Sequence, residues 1–436
     1  MSESASAPVL IVGAGVAGLI CAIELHRAGQ AVRVLEAAPD IGGRVRSTTV
    51  NGFVLDHGFQ VLFTAYPTLR RYLDAETLQY RRFLPAARIV RDRDVALIGD
   101  ALAEPRLLVD TVLARGISVT DKLRLLALRR FAKRLTIDAC FDAPYATMST
   151  RTFLESRGFG RAVIDGFFAP FYGGILLDRT LSSSASILLF TFKMLAEGDT
   201  VVPAAGMGAI TRHLASQLPA DAVITNTPIA AVIVRDGCAV GVRAADGREF
   251  VGASVVLATD MQAMSRLEAT AGLPAETPQT ALGCTTVYYT AKRTPIPGTA
   301  LWLNAAPDAV VSHAITLTDV APSYSTDGRP LLAATALGDA AMLPDDALDL
   351  RVRADLLRMG RSHADDIGLE RVAIWRVPYA QYAQPAGSVS HRPSTATSIP
   401  GLWRASELLH SSSLEGAARG GVMAADAICH ARRNAR

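Results

Sequence analysis

Val9-Leu10-Ile11-Val12 runs straight into Gly13-Ala14-Gly15-Val16-Ala17-Gly18. An unbroken apolar run of this kind reads as a central parallel strand buried on both faces. Leu19, Ala22, Ile23, Leu25 and His26 then recur at helical spacing until Gly29 stops the helix. Ala31-Val32-Arg33-Val34-Leu35 makes a second strand that ends on Glu36. Gly13 permits the tight turn, Gly15 lets backbone N–H groups approach a pyrophosphate, and Gly18 lets helix and strand pack closely. The helix N-terminus, with Ala17 in its first turn, offers free N–H donors to phosphate. Glu36 stands where a carboxylate accepts from both hydroxyls of a ribose and repels a 2′-phosphate. Glycines alone are a weak signal, but strand, glycines, helix, second strand and acid together imply a dinucleotide fold.

Which dinucleotide is decided a few residues on. Asp40-Ile41-Gly42-Gly43-Arg44 follows at once. Paired glycines bring the chain close to a diphosphate, and the arginine neutralises it. That addition favours FAD over NAD. Gly206-Met207-Gly208 has Thr211 where a third glycine would stand, so no second complete fingerprint argues for NAD(P)H as reductant.

Composition narrows the classes further. The 436 residues carry a net charge of +3, which gives no argument for nucleic acid. Half are hydrophobic and only 19% are charged, so a large core, an apolar cavity or a membrane-facing patch must absorb the surplus. Cys21, Cys140, Cys238, Cys284 and Cys429 are scattered, as expected of buried thiols in a reducing compartment and not of a disulfide frame or zinc site. The eight histidines have no metal-ligand spacing, and no GxSxG elbow accompanies Ser411 to Ser413. No signal peptide or spanning helix is evident. The expectation is a cytoplasmic protein, soluble or seated on a membrane surface.

With these motifs in hand, the sequence resembles the flavin amine oxidase superfamily, which includes phytoene desaturases and protoporphyrinogen oxidases. The resemblance spans nearly the whole chain. It continues through Gly52-Phe53 with Asp56-His57-Gly58, then Val202-Pro203 with Gly206-Met207, and the strands from Ile224 to Thr259. It ends on Gly401-Leu402-Trp403-Arg404-Ala405-Ser406-Glu407 and Ser411 to Gly421. The resemblance implies an α/β chain with a Rossmann-like FAD domain built from 1–60, 201–262 and 396–436. A mainly helical cap (61–200) and an antiparallel substrate sheet (263–395) would complete it. It places the backbone near Ile229 at the adenine and Glu407 at the ribityl-phosphate. The last helix, from Leu414 and Gly416, would face the flavin C2 carbonyl. Ser412-x-x-Glu415 has the spacing of a capping box for that helix. Gly416, Gly420 and Gly421 would strip bulk from its first turns. Serines stand where covalent members carry cysteine, so the FAD is expected to be non-covalent, with His57 and His410 as the alternative attachment points.

No protein nucleophile is apparent and the catalytic residues stay unassigned, since a flavin accepts a hydride equivalent by itself. The resemblance implies an FAD-dependent oxidoreductase acting on a small molecule, with O2, a quinone or another carrier as electron acceptor. The apolar composition favours a desaturase- or dehydrogenase-like reaction. An amine oxidase is the alternative, for which Lys292 is the candidate lysine and Trp375, Tyr379 and Tyr382 the candidate aromatic walls. A flavoprotein with a structural or isomerase role is the third. The aromatic run Phe167 to Ile175 reads equally as core or as cavity wall.

Between Arg81 and Arg134 stand thirteen Lys and Arg against six Asp and Glu. In the helix opened by Ser118-x-x-Asp121, Leu123, Ala127, Phe131 and Leu135 share a stripe. This region could touch an anionic bilayer. The interleaved Asp residues favour the plainer reading of a solvated helix face.

Overall fold

A computed structural model of the chain describes residues 7–91, 94–114, 117–274 and 279–434; Asp92, Arg93 and Arg115 of the basic stretch lie outside them. Every residue of strand Val9–Val12 is buried. It pairs in parallel with Val32–Leu35 on one side and Ser254–Leu257 on the other. Val223–Ile224 and Leu402–Arg404 extend the sheet at its edges, also in parallel. Each side chain so enclosed contributes roughly 1.5–3 kcal/mol, which is how three distant parts of the chain are held in one register. All five strands point the same way. Their carboxyl ends therefore open on one edge, where ligands of such sheets gather.

Two helices cover this sheet on one side. Helix Val16–Arg27 leaves the first strand through the glycine turn, and a Cβ on Gly18 would lie 2.0 Å from the Gly13 carbonyl oxygen. Helix Leu414–Asn434 packs across it, with Gly421 so close that a Cβ would lie 2.5 Å from the Ala17 oxygen. The expectation that Gly416, Gly420 and Gly421 clear space for the flavin is corrected here. A Cβ at 416 would meet the Ser411 oxygen at 1.8 Å, and one at 420 the Ser406 oxygen at 2.2 Å. All three make room for the protein's own backbone.

The second layer is a seven-stranded sheet in the order 370–382, 281–290, 331–337, 311–316, 301–304, 86–91, 94–99. Its pairs are antiparallel except Leu301–Asn304 beside Ala86–Arg91, which is parallel. The expected substrate sheet thus reaches back into the segment expected to be helical cap. Arg88 and Arg91 had hidden a strand by adding charge to an otherwise apolar alternation. One face of this sheet, with Val287 and Tyr289, packs on helix Asp345–Gly360. The other turns towards helix Ala169–Leu176.

The cap proper is helical, chiefly Val119–Arg134, Ala169–Leu176 and Ala185–Glu197. Ser118 caps the first of these, its Oγ accepting from the Asp121 N–H at 3.1 Å. The expected stripe packs in part: Phe131 and Leu135 lie against the core beside the buried Leu128 and Ala132, while Leu123 is 61% exposed. The C-terminal half of the helix is thus the half that the rest of the cap covers.

Candidate active site

The carboxyl edge of the parallel sheet opens on a continuous cavity of about 1250 Å³. Gly13, Gly15, Ala17, Glu36, Gly42, Gly43, Arg44, Ile229, Glu407 and Leu414 all line it. Gly18 and Gly416 do not, and their close packing behind the wall explains why. Gly15 is the most telling of the set, because a Cβ there would meet nothing within 4 Å. Its backbone is open to the cavity while its neighbours are packed. Gly13, at φ +107°, turns the chain with its Cβ position 2.7 Å from the Ala258 oxygen. Glu36 is fixed by the turn itself, accepting from the Ala14 N–H at 2.8 Å and the Ala38 N–H at 2.9 Å. A glycine turn at a helix N-terminus, an anchored acid and open backbone fit the ADP half of FAD.

Further along, Arg44 donates to Glu407 at 2.5 Å and to the Ala380 carbonyl at 3.0 Å. Burial opposes the guanidinium's charge, and Glu407 outweighs it, so Arg44 is held above its ordinary pKa. Tyr379 lies beneath Arg44, ring centre 5.2 Å away, and Tyr382 donates to the Glu407 carbonyl at 3.0 Å. Trp375 lies against His57, ring centres 3.9 Å apart and tilted by 31°. None of these three aromatics lines the cavity, so the expected aromatic walls are built elsewhere.

Leu414, the first residue of the last helix, stands at the cavity wall with Ser411, Ser412 and Ser413 before it. The cap is Ser413, whose Oγ accepts from the Gly416 N–H at 2.9 Å. Ser412 is instead paired with the Tyr382 N–H, and Glu415 does not reach back. Its carboxylate accepts from the N–H groups of Thr68 and Leu69 at 3.0–3.1 Å, tying the helix to the start of the cap. A tertiary contact has displaced the local capping box.

Asp56 holds the middle of the molecule together. Fully buried, it accepts from Ser47 at 2.5 Å, the Met207 N–H at 2.8 Å and the Tyr324 hydroxyl at 2.9 Å. Its own carbonyl accepts from Tyr288 at 2.7 Å. Burial pushes the carboxyl up to about 6 despite these donors.

The far end of the cavity is walled by Phe59, Phe63, Phe83, Phe167, Phe171 and Phe190, with aliphatic neighbours such as Ile98 and Leu125. The 167–175 run serves both purposes weighed for it: Phe167 and Phe171 line the cavity, while Phe168 and Tyr172 are core. The carboxylates at this end are paired, Asp100 with Arg129 at 2.7 Å and Asp199 with Arg82 at 2.6 Å. Lys122 is the one lysine on the wall among the described residues, and its ammonium donates to the Val112 and Ala114 carbonyls at 2.6 and 2.9 Å. Lys292 borders a separate groove with Asp327, Arg329 and Glu370.

Sequence reasoning missed His313, which lines the cavity, and Phe59, whose ring centre stands 5.2 Å from it. Only contacts between distant parts of the chain put them together, the Phe59 N–H donating to Thr286 at 3.2 Å, and no local spacing signals it.

Comparison with known proteins agrees with this geometry. The model for flavin containing amine oxidoreductases matches residues 16–429. Protoporphyrinogen oxidase 2 of Arabidopsis thaliana is 31% identical over 166 residues, covering 38% of this chain and 32% of that one. Phytoene dehydrogenase of Streptomyces griseus is 29% identical over 283 residues, covering 59% and 55%. The chain thus spans between a third and about half the length of these curated relatives. A putrescine oxidase double mutant shares the fold at TM-score 0.71 and 20% identity, covering 97% of this chain and 99% of its own. The chain belongs to the flavin containing amine oxidoreductase family.

Proposed function

We propose that this enzyme is desaturase- or dehydrogenase-like and oxidises an apolar small molecule. The observation that carries the reading is the far end of the cavity, where aromatic and aliphatic side chains face one another and each wall carboxylate already has an arginine. An ammonium group would find no free anion there, and burying it unpaired is costly. Two relatives are named for protoporphyrinogen and phytoene, in keeping with this choice.

FAD, when bound, supplies the acceptor for a hydride equivalent at N5. The chain's part is to seat it and keep water away. Gly13, Gly15, Ala17, Gly42 and Gly43 would hold the pyrophosphate, Glu36 the ribose and the Ile229 backbone the adenine. Glu407, fixed by Arg44, would face the ribityl-phosphate region, and the N–H of Leu414 the flavin C2 carbonyl, where a helix N-terminus favours negative charge. Attachment is non-covalent in this reading. Cys284 reaches the wall, but burial pushes its thiol up to about 11 and keeps the thiolate scarce. His57 is engaged with Thr48 at 2.9 Å, and His410 lies off the wall.

The substrate's route is part of the proposal. Leu108 and Val112 on helix Leu108–Leu113, and Leu126 on the next helix, line the cavity's cap end. Around them Val109, Leu113, Val119 and Leu123 are 61–72% exposed, with Arg106 and Lys133 nearby in sequence. An exposed apolar patch beside the cavity's cap end suits peripheral contact with a bilayer. Among the described residues no helix is long and apolar enough to cross one. Electrons would then pass to O2, a quinone or another carrier.

Anaerobic mixing tests the reaction class. Isoprenoid or tetrapyrrole substrates presented in vesicles should bleach the flavin spectrum, and simple amines should leave it oxidised. Bleaching by amines with peroxide release in air would overturn the proposal.

A further inference from the structure

His313 lies on strand Val311–Thr316 and lines the cavity at 4% exposure. Helix Ala169–Leu176 closes over it at Gly174, where a Cβ would come within 2.8 Å of the imidazole Nδ1. The glycine is there because the ring is. Nδ1 is shut off from solvent and has no hydrogen-bond partner among the described residues. A buried N–H without an acceptor is rarer and costlier than a bare acceptor nitrogen, so the proton belongs on Nε2. Burial, and secondarily the nearby Arg179, holds the ring's pKa down to about 4, so it is neutral at pH 7. Arg179 donates to the Asn304 carbonyl at 3.2 Å. A neutral N–H donor thus stands in a largely apolar wall, its ring centre 5.2 Å from that of Phe59.

We propose that His313 is the polar anchor of the substrate end, its Nε2–H donating to a carbonyl or carboxylate oxygen on a substrate that is otherwise apolar. The assignment rests on the cavity being the site of an apolar small molecule. It narrows that class from pure hydrocarbons to molecules with an oxygen acceptor away from the bond that is oxidised. Arg179, a cation beside the ring, favours the carboxylate among the two.

Calorimetric titration of the FAD-loaded enzyme with nonane, 2-nonanone and nonanoate tests this, with the flavin spectrum recorded to verify that the cofactor site is intact. His313→Leu should weaken the ketone and the carboxylate roughly three- to tenfold, the worth of one hydrogen bond, and leave nonane unchanged. His313→Gln, which keeps a donor, should restore part of the loss. Arg179→Gln should weaken nonanoate alone. A carboxylate-only loss in His313→Leu would also support the anchor and identify the carboxylate as its acceptor. If His313→Leu shifts all three ligands by one factor, the residue is only structural and the proposal fails. If none of the three binds the unaltered enzyme, the apolar-site reading fails first, and the anchor with it.

Discussion

The two ends of the cavity are made of different material. At the nucleotide end the wall is backbone: glycines at 13, 15, 42 and 43, a helix N-terminus, and an acid fixed by main-chain N–H groups. At the cap end it is side chains, mostly aliphatic and aromatic, with its carboxylates paired to arginines. A backbone wall recognises a constant group by geometry, and few residues can change without blocking it. A wall of apolar side chains recognises by volume and dryness, so its members can trade places at little cost.

The largest effect should separate two glycines of the same turn. Gly15→Val should fold, since its Cβ has open space, and should lose FAD affinity on the order of a hundredfold or more through blocked phosphate contacts. Gly18→Val should fail to fold, because its Cβ would lie 2.0 Å from the Gly13 oxygen. Circular dichroism and flavin content measure both. Equal FAD retention in a folded Gly15→Val would break the backbone half of the comparison.

Next comes the joint between the ends. Asp56→Ala would strand the buried donors of Ser47, Met207 and Tyr324, at a cost of roughly 3 kcal/mol in denaturant melts. The pH dependence has a definite sign. Asp56 titrates at about 6 in the folded chain and near 4 when unfolded. The folded state therefore binds the extra proton in that window, and the protein loses stability relative to Asp56→Asn as pH rises from about 4 to about 6. A constant difference across the window would contradict the buried assignment.

A smaller effect is expected at Arg44→Met, which leaves Glu407 buried without its cation. FAD affinity should fall roughly tenfold, with the loss partly recovered in the double variant Arg44→Met/Glu407→Gln. Additive losses in fluorescence titrations would show that the pair acts independently on the cofactor. Smallest is Leu113→Glu/Leu123→Glu on the exposed cap patch. Flotation with anionic vesicles should be lost while thermal stability and flavin content stay the same. Unchanged flotation would remove the membrane route.

The nucleotide end was legible from the sequence because its signal is local. Strand, glycines and acid lie within thirty residues, and the open backbone at Gly15 follows from the spacing. Gly416 meets the Ser411 backbone because the chain folds back just before the helix, and the Ser412 capping box gives way to a distant partner, Thr68; neither follows from residue spacing. The cap end was hardest. On helix Val119–Arg134 the expected stripe is covered at Phe131 and left open at Leu123, and only the packing of the whole cap decides where along the helix burial begins. Lys292 and the 375–382 aromatics have the right residue types but sit behind or beside the wall. Strand 86–91 was hidden by its arginines, and with it the way the sheet brings His313 to the cavity.

The central claim, that the cap end selects apolar over cationic substrates, is tested most directly by a homologous ligand series. Neutral alkyl ligands of increasing length would be titrated into FAD-loaded enzyme at pH 7, each beside the alkylammonium of equal length. The expected result is roughly fourfold tighter neutral binding per added methylene until the cavity is full, with each ammonium at least about tenfold weaker than its neutral match. Ammonium ligands that bind as tightly as the neutral ones, with little dependence on length, would contradict it.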